Sequence, residues 1–388
     1  MRHLTVAIAG LGGNIGTTLA AGLAYIQQGG HPLGLLTEAS WPVGSHDGPS
    51  LTNRLSLPPL STINVIGWDH ATRPLHELAF EKCIVPPHVL ARTAPWLQTA
   101  VAQPAPKEEW AVWLNKANLQ LSGERSLGRD IVLLDLLPAR PSPPECSIHR
   151  DLAEFENALF DNSNVITPSM MYAWLALSNG IPYVNFTSNV SAEIPALQEL
   201  ARRTHTPTCG KDGKTGQTLF KTALAPALAL RSVRVDGWIS ANYLGNADGL
   251  NLDDRDRAAE KIRHKRDVLT RILGYDVPDH IVDIRYYRPR GDFKEAWDSI
   301  DFRGFCEVPM QLKLDLLGAD SVLAAPVALD AARLLHKASS SGAHGAQEQF
   351  SLFFKYPILD GSVEHDLFRQ RDMLERWVEI SERQESSS

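Results

Sequence analysis

Cysteine is scarce in this chain of 388 residues: Cys83, Cys146, Cys209 and Cys306 are the only four, far apart and with no CxxC pair. That spacing argues against a disulfide framework or a structural zinc site and for a reducing, cytoplasmic setting. Long apolar runs are missing too. None reaches the ~18 residues that a membrane span needs, and the opening MRHLTVAIAG has neither the apolar core nor the cleavage site of a signal peptide. A surplus of positive charge is absent. The formal net charge is −7, which argues against a nucleic-acid binder that neutralises phosphates over a basic domain but leaves room for a local cationic site. There is no GxSxG elbow and no HExxH helix, and neither His264 nor His280 has a partner at metal-ligand spacing. Lysine is the last scarcity. Twelve lysines stand against twenty-six arginines, and nine of the twelve fall at or beyond Lys211.

What is present is the composition of an ordinary globular enzyme, 44% hydrophobic and 21% charged, with length for about two or three domains. LTVAIA (4–9) reads as a buried strand, GLGGNIGTT (10–18) as a glycine turn, and the stretch to about Gln28 as a helix. STINVIGWDH (61–70), IVLLDL (131–136), a short piece at 164–166 and IPYVNF (181–186) read as further strands, with helices near 150–160 and at 168–179. This alternation predicts an α/β fold with a mostly parallel sheet. Beyond about residue 219, RSVRVDGWISANY (231–243) and DHIVDIRYYRP (279–289) alternate apolar and polar residues. They read as strands with one buried face in a largely antiparallel sheet, with a charged helix (253–274) between them. VLAAPVALDAARLL (322–335) reads as an apolar helix, KASSSGAHGAQ (337–347) as a solvated loop, and FSLFFKYPI (350–358) as a last strand.

The glycine turn carries chemistry. Gly10 suits a tight turn, Gly12 and Gly13 let backbone amides approach a pyrophosphate, and the following helix points its positive end at the same place. The spacing departs from GxGxxG by one residue. An acid on the ribose hydroxyls favours NAD over NADP; Glu38 fits by spacing and Asp69 by its place at a strand end. GKDGKTGQT (210–218) is not a P-loop, because Thr208 stands where glycine is required. Its amides, with Thr215, Thr218, Gln217 and Lys214, nonetheless suit a substrate phosphate.

The lysines matter because burial can lower their pKa, whereas arginine keeps its proton. Lys261 and Lys265 lie four apart on one helix face, Lys294 follows Gly291 and Asp292, and Lys355 sits among aromatics. Cations gathered around an anionic substrate suit enolate chemistry. NYLGNADGLN (242–251) offers Asn242, Asn246 and Asp248 to hydroxyls or phosphate, and Asp320 is the residue type expected at a helix N-cap.

Taken in order, GLGGNIGTT (10–18), GWD (67–69), ITPS (166–169), GIPYVNFTSN (180–189), GKDGKTGQT (210–218), NYLGNADGLNL (242–252), DHIVDIRYYRPRGDFK (279–294), DSVLAAPVALD (320–330) and FFKYP (353–357) resemble the myo-inositol-phosphate synthase family over almost the whole chain. The resemblance implies a discontinuous NAD-binding Rossmann domain (1–218 and 322–388) with an inserted α+β catalytic and tetramerisation domain (219–321). It implies conversion of D-glucose 6-phosphate to 1D-myo-inositol 3-phosphate, without net redox change, by a homotetramer. It assigns NAD contacts to Gly12, Gly13, Asn14, Ile15, Asp69, Asp212, Asp320 and Ser321. It assigns substrate contacts to Thr215, Gly216, Gln217, Thr218, Asn242, Asn246 and Asp248. The catalytic lysines it implies are Lys261, Lys294, Lys355 and Lys265, the last also holding the phosphate. Family members often use a monovalent or divalent cation near the nicotinamide.

On that reading the C5 hydroxyl is oxidised at the expense of NAD while Lys261 takes its proton. The new ketone acidifies C6, Lys294 and Lys355 stabilise the enolate, and a base such as the substrate phosphate removes the proton. C6 then attacks the C1 aldehyde of the same molecule, and the hydride returns to C5. The chain differs from the family in carrying Gly210-Lys211-Asp212 where GDD is usual, and DLLPARP where relatives have small polar residues near the nicotinamide. Another hexose phosphate such as fructose 6-phosphate, a dehydrogenase that releases NADH, and a non-catalytic NAD-binding regulator are the alternatives.

Overall fold

A computed structural model describes residues 3–42, 45, 47–107, 109–245, 268–358 and 363–386. Six strands, β1 (His3–Ala9), β2 (Ile63–Asp69), β3 (Gln103–Pro104), β4 (Arg129–Asp135), β5 (Tyr183–Asn185) and β6 (Pro207–Gly210), run parallel in the order β6-β5-β4-β1-β2-β3. This is the doubly wound order, in which the chain reverses direction between β1 and β4. Strand residues alternate between two cores, as a sheet covered on both faces requires. Leu4, Val6 and Ile8 face one core with Val132 and Leu134; Ala7 and Ala9 face the other with Ile131 and Leu133.

The helix Asn14–Gln27 covers the first face together with the helix Asp320–Ser340. The helices Trp110–Ser126, Leu152–Phe160, Pro168–Ser178 and Pro195–Arg203 cover the second. Local chemistry sets their starts. Thr167 caps its helix by accepting from the Met170 amide, with Pro168 in the first turn.

A second sheet holds β7 (Arg234–Leu244), β8 (Asp279–Tyr286), β9 (Phe293–Arg303) and β10 (Pro309–Ala319) in the order β10-β9-β7-β8. The β9 pairings are antiparallel and the β7–β8 pairing is parallel. One face packs Val235, Trp238 and Ile300 against Ala225 of the helix Gln217–Leu230. β10 runs directly into the helix at Asp320, which carries the chain back to the first sheet, where β11 (Gly345–Ala346) joins beside β6.

Several local expectations are corrected. Residues 164–166 form a turn, because Ile166 bonds back to Ser163. The segment 337–347 is helix to Ser340, with Lys337 buried, and then β11. Residues 350–358 are no sheet strand: Glu348–Phe353 is a 3-10 helix, and the amides of Lys355, Tyr356 and Ile358 donate to carbonyls of the loop that starts at Gly210. The charged helix expected at 253–274 lies outside the described residues up to 267.

Candidate active site

The ends of both sheets meet around a cavity of about 480 Å³, a volume suited to a small-molecule ligand. Its first wall is the glycine turn. Gly10 adopts φ +88° and its amide donates to Trp68 O at 2.9 Å, which folds the chain sharply off β1. Gly12 donates to Asp69 Oδ2 at 2.9 Å, and a Cβ there would lie 2.8 Å from Asp69 Cγ. Asp69 Oδ1 accepts from the Ala71 amide, so this carboxylate ties the turn to the end of β2. Gly13, the N-cap of the helix that begins at Asn14, has no side chain to cap it, and the positive end of that helix faces the cavity lined by Gly13, Asn14 and Ile15. Glu38 is elsewhere. Its carboxylate accepts from Arg333 at 2.6 Å and from Thr52, inside a buried network with Asp330. Spacing therefore points to the wrong acid, and the strand-end candidate Asp69 is the one in the cavity.

The opposite wall is the loop 210–216. The stretch after Phe353 bonds along it through the backbone: Lys355 N donates to Asp212 O at 2.7 Å, Lys214 N to Phe353 O and Ile358 N to Gly210 O. Gly213 has no room for a side chain, since a Cβ would meet the Phe186 ring at 2.1 Å. This zipper brings Lys355 Nζ to 2.7 Å from Asp212 Oδ1, with both residues lining the cavity. Lys294, at the start of β9, stands 3.5 Å from Asp320 Oδ1, which Thr215 Oγ1 also reaches at 3.5 Å. Asp320 is not the N-cap. The helix starts on it and its N-cap position is Ala319; the capping side chain comes from another loop, where Asp292 accepts from the Ser321 amide and hydroxyl at 2.9 Å each. Asn14 also reaches Asp292, at 3.4 Å.

Gly12, Gly13, Asn14, Ile15, Asp69, Asp212, Thr215, Asn242, Lys294, Asp320, Ser321 and Lys355 thus line one cavity. Gly216, Gln217 and Thr218 stand behind its wall at the start of the helix Gln217–Leu230, whose N-cap Gly216 has no side chain to cap it. Thr218 Oγ1 is buried there without a partner among the described residues. Asn246, Asp248, Lys261 and Lys265 lie outside the described residues. The run Leu136–Ala139, in the DLLPARP segment that the family resemblance sets near the nicotinamide, lines the cavity, and so does Lys82, which was not expected there. Nothing near Lys82 in sequence marks it, whereas Leu136 follows the strand-end position that Rossmann topology favours. Among the described residues no three His, Cys, Asp or Glu side chains gather as metal ligands.

Lys214 points away from the cavity. It is 3% exposed and donates to Gln370 Oε1 of the helix Leu367–Ser386, and burial pushes its ammonium down to about 7. Its folded pKa lies below the unfolded value near 10, so the unfolded chain holds the extra proton between those limits and stability rises with pH there. Lys214→Met removes this dependence. Urea unfolding at pH 7 and pH 9 is expected to show wild type gaining on the variant by about 1 kcal/mol per pH unit.

Comparisons with known proteins fit this geometry. A family model described as Myo-inositol-1-phosphate synthase matches residues 216–321. Inositol-3-phosphate synthase 1 of Bacteroides thetaiotaomicron is 34% identical over 404 aligned residues, covering 96% of this chain and 94% of the relative. The chain belongs to the inositol-3-phosphate synthase family. The crystal structure of inositol-3-phosphate synthase from Caenorhabditis elegans matches with TM-score 0.88 at 21% identity, covering 98% of this chain and 86% of that one. A myo-inositol-1-phosphate synthase-related protein from Thermotoga maritima gives 0.76 at 21%, covering 97% and 98%. These two speak for the fold, which is Rossmann-like α/β as expected. Lys211, where the family's usual GDD has an acid, pairs with Glu193 Oε1 at 2.7 Å. Its charge is thereby balanced by Glu193, and Lys211 does not line the cavity.

Proposed function

We propose that the chain is an NAD-dependent sugar-phosphate cyclase, an isomerase-class enzyme that converts D-glucose 6-phosphate to 1D-myo-inositol 3-phosphate. One observation carries the reading: a glycine turn at an uncapped helix start shares a single cavity with the amines of Lys294 and Lys355. The fit to a dinucleotide rests on the tight Gly12–Asp69 cradle, which a Cβ would fill, and on the bare helix end beside it. Bound NAD supplies a reversible hydride acceptor. Asn14 and Ile15 at the helix start would hold its phosphates, with Gly12 and Gly13 leaving room for their approach; Asp69 would order the turn and meet a ribose, and Asp212, Asp320 and Ser321 would complete that side.

The substrate phosphate belongs at the start of the helix Gln217–Leu230, where Thr215, Gly216 and Thr218 stand, Thr218 with a buried hydroxyl that has no partner among the described residues. Asp212 and Asp320 hold the Lys355 and Lys294 ammonium groups in place, so that both cations converge on an enolate oxygen without reorganising. Lys261, Lys265, Asn246 and Asp248 complete the proposed site from outside the described residues. Incubation with NAD and a panel of hexose 6-phosphates, read by NMR, tests the assignment. Inositol 3-phosphate from glucose 6-phosphate is expected; product from fructose 6-phosphate alone, or NADH in step with substrate consumed, would overturn it.

The reading includes a cytoplasmic homotetramer built on a Rossmann domain (1–218 and 322–388) and an inserted unit (219–321). The support is the outer face of the four-stranded sheet. Ile239 and Ile281 are paired in register there at 36% and 48% exposed, with Leu317 on the same face. Replacing Ile239 and Ile281 together by Asp is expected to shift the assembly to smaller species in light scattering. An unchanged mass would remove this face from the interface.

A further inference from the structure

Behind the cavity lies a buried chain of polar side chains that the proposed reaction does not yet use. Asp298, 1% exposed on β9, accepts from Trp238 Nε1 at 2.7 Å and Ser240 Oγ at 2.5 Å through Oδ1, and from Gln217 Nε2 at 3.0 Å through Oδ2. Gln217 Oε1 in turn accepts from Asn242 Nδ2 at 2.6 Å. Asn242 lines the cavity, and its Oδ1 is buried with no partner among the described residues.

The direction of this chain is not free. An ionised carboxylate only accepts, whereas a side-chain amide has one accepting and one donating end, told apart by their partners. Asp298 therefore takes the nitrogen of Gln217. That turns the Gln217 oxygen to Asn242 and holds the nitrogen of Asn242 on the Gln217 side, so its carbonyl oxygen is the acceptor left to be met.

We propose that Asp298 is a positioning residue that fixes this polarity, so that Asn242 keeps its carbonyl oxygen available as an acceptor for a hydroxyl of the bound sugar. The inference rests on the proposed substrate class and narrows it. An ionised phosphate has no hydrogen to give, so Asn242 Oδ1 does not serve the phosphate end. It reads a donor hydroxyl, and an acceptor left buried without one costs binding. The phosphate is thereby assigned to the helix start at Gly216 and Thr218, and a donor hydroxyl of the sugar to Asn242 beside it.

The test uses glucose 6-phosphate and its 2-, 3- and 4-deoxyfluoro analogues, titrated calorimetrically into the NAD-loaded protein. Fluorine replaces a hydroxyl at similar size but cannot donate. Wild type is expected to bind the analogue at one position at least about tenfold more weakly than glucose 6-phosphate. In Asp298→Asn, Oδ1 keeps Trp238 and Ser240 while the new nitrogen reverses Gln217 and Asn242; the discrimination at that position is expected to fall below about threefold. Adding Asn242→Asp to that variant restores an acceptor at the end of the reversed chain, and the discrimination returns.

Equal discrimination in Asp298→Asn and wild type would overturn the proposal. So would a wild type that binds all three analogues as well as glucose 6-phosphate; that result decides even if Asp298→Asn fails to fold. If the expected pattern holds but NMR finds no inositol phosphate, the contact stands and the cyclase reading falls.

Discussion

Replacing Lys355 by Ala is expected to lower kcat for inositol 3-phosphate formation by about 10²–10³-fold, with a much smaller change in the Kd for glucose 6-phosphate. Lys355 stands in a wall fixed by five backbone bonds between residues 353–358 and the loop 210–214, and Asp212 holds its ammonium at 2.7 Å. A cation so placed is preorganised for negative charge that develops only after the sugar has been oxidised. Its loss therefore falls on the chemical step and spares binding. Lys355→Arg separates charge from proton transfer. Arginine keeps the charge and cannot give up a proton, so partial activity assigns Lys355 to enolate stabilisation, and inactivity equal to that of Ala assigns it a proton. Steady-state kinetics with calorimetric binding of glucose 6-phosphate read both variants. A rise in Kd with kcat unchanged would take Lys355 out of the chemistry.

The second large effect is expected at Gly12. Any side chain there begins with a Cβ 2.8 Å from Asp69 Cγ, and its branches must go where the turn approaches its ligand. Gly12→Val is expected to weaken NAD binding by about 100-fold. The stabilisation of the folded protein by saturating NAD shrinks accordingly, by about 2.7 kcal/mol. Thermal melts with and without NAD read this directly. The apo protein melts near wild type if the clash is relieved outward into the cavity, and NAD then adds little. A variant that NAD stabilises as strongly as wild type would place the dinucleotide elsewhere.

Much of the first sheet was legible because its strands are short apolar runs between glycine turns and helices, and β1 with GLGGNIG shows the whole local sequence of events. β10 was equally open to reading, since Met310, Leu312, Leu314 and Leu316 alternate, yet it went unread beside its charged neighbours. β9 hides for a physical reason. Its inner face carries Asp298 between Ala296 and Ile300, and a buried carboxylate satisfied by Trp238, Ser240 and Gln217 breaks the period-two pattern.

The site residues came into view through family motifs more than through local chemistry. Asp69 and Glu38 were equal candidates by residue type, and only the tertiary partner Arg333 separates them. Lys214 and Thr215 are adjacent in one loop, but the first turns to Gln370 and the second to the cavity. Which way a side chain leaves a loop depends on what packs behind it, and sequence spacing does not carry that information. Asp292, which caps the helix at Asp320 from another loop, was invisible for the same reason.

The claim on which the rest depends is that one pair of electrons leaves the sugar and comes back to it. Glucose 6-phosphate carrying deuterium at C5 tests it in a single incubation with unlabelled NAD. Ring closure by a returned hydride predicts inositol 3-phosphate that keeps the deuterium on the former C5, with no steady rise in absorbance at 340 nm. Deuterium found in released NADH, with absorbance climbing in step with substrate consumed, would contradict it.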